Sequence, residues 1–83
     1  MVEKRIGRIS HYFDKVQVAV IDLSENINLG DKISIKGYTT DFSQNVESMQ
    51  INKVNIISAN PGDEIGLKIL ERVRINDDVF LID

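Results

Sequence analysis

The sequence has no cysteine and no tryptophan, and only one proline and one histidine among its 83 residues. Without cysteine there is no disulfide framework, no thiolate metal site and no thiol nucleophile, so packing alone must hold a small core together. No apolar run approaches the ~18 residues of a membrane span, and no basic-then-apolar leader opens the chain. We therefore expect a cytoplasmic protein.

Positive charge is also scarce, since 10 Lys and Arg face 13 Asp and Glu for a net charge of −3. A broad, charge-driven contact with nucleic acid usually needs a basic domain, so only a small local contact is compatible with this balance. Domains commonly contain ~100–150 residues. The length therefore predicts a single domain over residues 1–83.

Most apolar residues are β-branched, with 21 Val and Ile against 7 Leu and Ala. These side chains favour strands over helices, and no helical periodicity appears, so we predict an all-β fold. Alternation predicts a first strand from Lys4 to Tyr12, with a bulge or close backbone approach at Gly7, and a long strand from Phe42 to Ile57. In another strand Val16, Val18 and Val20 share one face. Six strands joined by short turns favour a closed barrel, with a sandwich as the alternative.

One local pattern occurs three times, as a residue that tolerates positive φ, then Asp, then a strand. The three copies are Gly30–Asp31, Gly62–Asp63 and Asn76–Asp77. Glycine adopts positive φ without steric cost, asparagine is the next most tolerant residue, and the Asp carboxylate can accept bonds from nearby backbone N–H groups. We interpret these aspartates as parts of turns that begin strands, rather than as ligand sites.

Three segments in this order resemble the second domain of elongation factor Tu: residues 27–35 (INLGDKISI), 46–50 (VESMQ) and 59–67 (ANPGDEIGL). The resemblance covers nearly the whole chain. It implies a six-stranded closed Greek-key barrel of the translation-factor type. Asn76 stands where this family usually has glycine.

Two further segments, 7–15 (GRISHYFDK) and 36–42 (KGYTTDF), resemble narrower relatives. They are similar to the C-terminal barrel of collagenase-type peptidases and to stand-alone elongation-factor-like proteins. This resemblance implies a module that works beside a larger enzyme.

Catalytic motifs are missing. There is no G-x-x-x-x-G-K-[ST] phosphate loop, so the chain is not a GTPase by itself. His11 can be combined with Ser10 or Ser43 and with Asp14 or Asp41, but nothing in their spacing fixes a geometry for nucleophilic catalysis. A catalytic site needs convergent groups in a pocket that ~80 residues rarely enclose. We predict no catalytic residue, no cofactor and no metal site.

The aromatic residues are clustered, since four of the five fall in two short segments that also carry cations. Rings and cations at two strand ends can form an exposed patch that stacks a base or anchors a peptide. The alternative is that the rings fill one mouth of the barrel. Lys4, Arg5 and Arg8 add a basic start. The candidate patch consists of His11, Tyr12, Phe13, Lys15, Tyr38 and Phe42.

The translation-factor resemblance also implies a position for the terminal adenosine of a tRNA. The matching residues are Gln50, Asp63, Glu64 and Gly66, with Gln50 where the family has glutamate. A glutamine amide can still hydrogen-bond a base edge or a ribose. The alternative is that these are ordinary surface residues on a retained fold.

We therefore expect a non-catalytic binding module. The first hypothesis is a translation-associated module with a weak tRNA or ribosomal RNA contact. The alternative is a protein-interaction module that acts in trans with a partner, such as a GTPase domain or a collagenase-type peptidase, through the aromatic patch.

Overall fold

The fold is all-β, as predicted. A computed structural model describes residues 3–82, which form ten strands and no helix, so this range contains no helix able to cross a membrane. Residues 1, 2 and 83 of the predicted single domain lie outside the described residues. The strands are β1 (Glu3–Phe13), β2 (Val18–Leu23), β3 (Ile27–Asn28), β4 (Lys32–Lys36), β5 (Asp41–Asn45), β6 (Met49–Ile51), β7 (Val54–Ile56), β8 (Ser58–Ala59), β9 (Glu64–Lys68) and β10 (Asp78–Ile82).

The prediction of a closed six-stranded barrel is wrong in its closure and its strand count. Within the described residues, eight strands form one antiparallel sheet in the order β5-β4-β10-β1-β2-β9-β6-β7, and β3 pairs with β8 in a separate ribbon. The large sheet therefore has two edge strands, β5 and β7, which do not pair with each other.

A side chain on the edge strand β5 forms a bridge to the last residue of β9 and to the segment that follows it. The Gln44 amide on β5 donates to the Lys68 carbonyl at 2.8 Å, and its oxygen accepts from the Leu70 N–H at 2.8 Å. Gln44 is buried. A single glutamine thus supplies the two bonds that a backbone pair would supply in a closed barrel.

The core fills the concave side of the curled sheet and is built mostly from Ile and Val, which explains the composition. β-branched side chains pack well against neighbours on a pleated surface. Eight isoleucines are fully buried in this cluster, of which six come from β1, β2, β4 and β9: Ile6, Ile9, Ile21, Ile33, Ile35 and Ile65; the other two are Ile27 and Ile69.

Both features predicted at Gly7 are confirmed. The pairing of β1 with β10 shifts register between Arg5 and Gly7. A Cβ on Gly7 would lie 2.6 Å from the Asp22 carbonyl oxygen and 2.8 Å from Ile21 Cγ2, closer than side chains can approach. The absence of a side chain at Gly7 therefore lets β2 lie directly against the bulged strand.

The predicted long strand from Phe42 to Ile57 is wrong, because the structure divides it into β5, β6 and β7. Asn52 and Lys53 both have positive φ, of 51° and 66°, and form a two-residue turn between β6 and β7. Such a turn is most easily recognised as Asn-Gly or Asp-Gly. Lysine at the second position hid it in the sequence.

The three predicted turns are confirmed and share one geometry. Gly30, Gly62 and Asn76 have φ of 91°, 91° and 77°. In each turn the Asp carboxylate accepts from the N–H three residues earlier, at 2.8–2.9 Å. The backbone N–H of the same Asp donates to the carbonyl of that residue, at 3.0–3.1 Å. The aspartates therefore close turns.

The three turns also dock alike on the rest of the fold. The N–H of the positive-φ residue and the carbonyl of the following Asp bond the carbonyl and N–H of one apolar residue on another segment, at 2.8–2.9 Å. That residue is Val46, Leu23 or Ile9, and each of these is buried. The repeat in the sequence is thus a repeated way of fastening a turn to the sheet.

Candidate protein-binding surface

Three connections emerge at one end of the sheet: the β1–β2 turn, the β4–β5 turn and the long β9–β10 loop. Antiparallel pairing places them together, since Phe13 pairs with Val18, Val18 with Lys68, and Lys36 with both Asp78 and Asp41. Two contacts join the connections directly. The Ile69 N–H donates to the Gln17 carbonyl at 2.9 Å, and Gly37 lies against the Asp77 carboxylate, leaving no room for a side chain.

This end carries most of the exposed large apolar side chains. Within the described residues eight large apolar side chains are exposed, and five of them lie in or beside these three connections. Tyr38, at the tip of the β4–β5 turn, is 98% exposed, and Phe13 is 54% exposed. We name this group the loop-end surface, and it consists of Phe13, Val16, Tyr38, Leu70 and Ile75.

The predicted aromatic patch separates into exposed and packed members. The His11 and Phe13 rings stack with centroids 6.4 Å apart on the outer face of β1. Tyr38 and Lys15 are exposed, whereas Tyr12 and Phe42 are partly buried and pack against the core. Tyr12 and Phe42 thus contact the core, in a sheet that has no closed barrel mouth within the described residues, and Phe13 and Tyr38 remain as accessible rings. Whether the patch binds anything stays a prediction.

Three members of the loop-end surface did not emerge from the sequence: Val16, Leu70 and Ile75. Alternation with Val18 and Val20 assigns Val16 to a strand, but Val16 lies in the β1–β2 turn and is 61% exposed. A signal for Ile75 does exist. It occupies the corner position of the third turn, where the second turn has Pro61. Proline suits that corner, whereas an exposed isoleucine there has no backbone reason.

The residues implied by the translation-factor resemblance are only partly brought together. Gln50 and Gly66 are paired across β6 and β9, and the Gln50 amide donates to Asn55 Oδ1 at 2.9 Å. The Asp63 carboxylate is bonded within its turn to the Asn60 N–H. Glu64 pairs with Asp22 across β9 and β2. Their adenosine-binding role remains untested.

The basic start of the chain is largely neutralised by nearby carboxylates. Lys4 Nζ lies 3.1 Å from Glu25, and Arg5 Nε lies 2.8 Å from Asp78. Lys36 Nζ lies 3.0 Å from Glu3 and also 5.9 Å from the centre of the Phe80 ring. These cations form ion pairs on the outer face instead of an unpaired basic strip.

The side chains considered for catalysis are not joined to one another. Ser10 Oγ donates to the Val20 carbonyl at 3.2 Å, and no hydrogen bond links His11 to a serine or carboxylate among residues 3–82. In the same range no group of three or more His, Asp or Glu side chains is arranged to hold a metal ion.

The chain is 40% identical over 78 residues to an uncharacterized protease of Methanocaldococcus jannaschii, covering 93% of this chain and 19% of that protein. It is 30% identical over 80 residues to a collagenase of Porphyromonas gingivalis, covering 94% of this chain and 22% of the relative. The chain therefore spans about a fifth of the length of these relatives. No protein-family model matches it.

Among solved structures, the C-terminal domain of a putative U32 peptidase of Geobacillus thermoleovorans superposes with a TM-score of 0.90. The superposition covers 96% of this chain and 93% of that domain, at 14% identity. The chain therefore has the fold of a U32 peptidase C-terminal domain. Its sequence relatives are a protease and a collagenase, in agreement with the resemblance carried by residues 7–15 and 36–42. The names of these relatives and of this structure refer to peptidases, and they do not show the translation-factor relationship.

Proposed function

We propose that this chain is a non-catalytic protein-interaction domain that works with a U32-type peptidase through the loop-end surface. The observation that carries the proposal is the concentration of exposed rings and aliphatic side chains on three connections at one end of the fold. Large apolar side chains exposed together in one region are a frequent sign of a partner-binding site, and exposed tyrosine is a frequent interface anchor.

The charge of this region favours a protein partner over RNA. The exposed cations Lys15, Arg72 and Arg74 alternate with the exposed carboxylates of Asp14 and Glu71, so the region is close to neutral. Binding to a phosphate backbone relies on several unpaired cations. Lys4 is paired with Glu25 and Arg5 with Asp78, which leaves only the exposed Arg8 and Lys15 of the four cations on which the tRNA hypothesis depends.

The relatives provide a defined partner for a test. The M. jannaschii protease can be prepared without the segment that matches this chain, which amounts to 19% of its length. Isothermal titration calorimetry measures association in trans when the 83-residue chain is titrated into this truncated protease. We expect binding that weakens at least about tenfold in the double variant Phe13→Ala with Tyr38→Ala, because large exposed rings supply most of the energy of such interfaces.

The control is Val54→Ala, which removes an exposed apolar side chain from β7, away from the three connections. It should bind like the wild type. Equal affinity of the wild type and the double variant would refute the proposed surface. A parallel titration with tRNA tests the other hypothesis: weak, salt-sensitive binding that requires Arg8 and Lys15, without binding to the truncated protease, would refute the choice of a protein partner.

A further inference from the structure

A second candidate site lies beside β7, which is one of the two edge strands of the large sheet. A concavity of about 250 Å³ opens there, with an apolar lining from Leu29, Met49, Ile56 and Ile57. Glu47 provides a carboxylate and Asn55 an amide at the same concavity. An apolar hollow with a few polar groups is the usual form of a small binding site.

The backbone of β7 is open on this edge at Asn55, whereas the next outward position, Ile57, is already bonded to Leu29. Antiparallel strands alternate between pairs that exchange hydrogen bonds and pairs that do not, and the residues flanking a two-residue turn form a bonded pair. Val54 and Ile56 therefore bond to β6, while the N–H and carbonyl of Asn55 point away from the sheet. The bond from the Leu29 N–H to the outward Ile57 carbonyl, at 2.8 Å, agrees with this alternation.

The edge also lacks the usual protection against pairing with another chain. Exposed edge strands are commonly covered by charged side chains or proline. β7 reads Val-Asn-Ile. The side chain of Val54 on this strand is 63% exposed, and that of Ile57, which lines the concavity, is 74% exposed. An added strand would cover these side chains and pair with Asn55 at the same time.

The charge at the concavity restricts what can occupy it. Glu47 is exposed, and no cation lies within ion-pair distance of it among the described residues. An occupant that carries a cation next to an apolar side chain would complement both the carboxylate and the apolar lining.

We propose that this edge binds an extended peptide segment by strand addition to β7. The segment would place one aliphatic side chain in the concavity and an adjacent Lys or Arg beside Glu47. Backbone bonds to Asn55 would provide affinity, while the concavity and the carboxylate would provide selectivity. This site is separate from the loop-end surface and goes beyond the function proposed above.

The test uses two fluorescein-labelled nonapeptides of Thr and Gln that differ only in a central Leu-Lys or Leu-Glu pair. Fluorescence anisotropy with the 83-residue chain should show binding of the Leu-Lys peptide with a dissociation constant on the order of 0.1 mM. The Leu-Glu peptide should bind about two- to fivefold more weakly, as expected for one exposed ion pair. In a 15N-labelled sample, the amide signal of Asn55 should shift on titration.

Four variants distinguish the outcomes. Ile57→Ser removes part of the apolar lining and should weaken binding about tenfold, whereas the matched control Ile75→Ser, on the loop-end surface, should leave it unchanged. Glu47→Gln should abolish the difference between the two peptides. The double variant of Phe13 and Tyr38 should still bind the peptide, so that failure of the proposed peptidase interaction can be recognised separately.

Three results would overturn the proposal. The first is equal binding by the wild type and Ile57→Ser. The second is a peptide preference that persists in Glu47→Gln. The third is concentration-dependent dimerisation that Ile57→Ser abolishes, because it would identify a second copy of the chain as the occupant of this edge.

Discussion

The glycines of this fold have different roles, as a comparison of Gly7 with Gly66 shows. Gly7 lies where β2 passes so close to the bulge of β1 that a methyl group would overlap backbone. Gly66 lies on the outer face of β9, where a Cβ would meet only Val18 Cγ1, at 3.4 Å, and more distant atoms. The first glycine is required by packing, whereas the second leaves an open spot between Val20 and Gln50.

We predict that Gly7→Ala lowers the free energy of unfolding by about 1–3 kcal/mol, as for other insertions into close-packed sites. Gly66→Ala is the matched control, and its effect should stay within about 0.5 kcal/mol. Urea unfolding followed by circular dichroism measures both. Equal effects of the two substitutions would show that the close contact with Asp22 does not limit stability at Gly7.

At the scale of elements, three turns are built alike yet differ at the corner residue, which is Leu29, Pro61 or Ile75. The Leu29 N–H donates to the Ile57 carbonyl, while no bond from the Ile75 N–H occurs among residues 3–82. A corner proline is therefore compatible with the third turn, as it already is with the second.

Ile75→Pro should raise the free energy of unfolding by about 0.4–1 kcal/mol, because proline restricts the unfolded chain while fitting the turn. Leu29→Pro gains the same entropy but loses one backbone bond, worth about 0.5–1.5 kcal/mol, and should be no more stable than the wild type. Thermal and urea unfolding of the two variants, side by side, give the order of stability. The reverse order would mean that the third turn does not share the geometry of the second.

Strand elements were predictable where alternation was regular, but alternation did not assign the inward face. Val16, Val18 and Val20 share one side in the sequence, yet the buried residues of β2 are Ala19, Ile21 and Leu23. The reason is that β2 has apolar residues on both faces, and its pairing with β1 and β9 decides which face is covered.

At the scale of the whole molecule, the two edge strands of the large sheet, β5 and β7, lie in different surroundings. At the β5 end, the buried Gln44 amide reaches the chain beyond β9. At the β7 end, the edge is left open beside an apolar concavity. The sheet therefore has one edge strand, β5, that is bridged by a side chain, and one edge strand, β7, to which we propose that a further strand is added.

Gln44→Ala should destabilise the fold by about 2–3 kcal/mol, because it removes two hydrogen bonds and leaves the Lys68 carbonyl and Leu70 N–H without partners. The control Gln50→Ala removes an exposed amide bond to Asn55 and should cost about 0.5 kcal/mol or less. Hydrogen exchange should show β5 amides exchanging faster in Gln44→Ala. Unchanged exchange in β5 would contradict the role of Gln44 as the bridge.

The candidate site was predictable in part. Phe13 and Tyr38 emerged from the sequence because aromatic residues are few and clustered. Tyr12 and Phe42 could not be separated from them, since adjacent strand residues face opposite sides and only the fold shows which side is the core. Leu70 and Ile75 join the same surface through a long loop whose position depends on contacts with Gln17 and Ile9.

The sequence by itself determined the all-β class, the bulge at Gly7 and the three Asp turns, because each depends on local sterics or on bonds spanning a few residues. Tertiary structure alone decided that the sheet stays open, that three connections meet at one end and that β7 leaves an edge free. These features depend on pairings between residues far apart in the chain, such as Gln44 with Lys68, and local preferences do not encode those pairings.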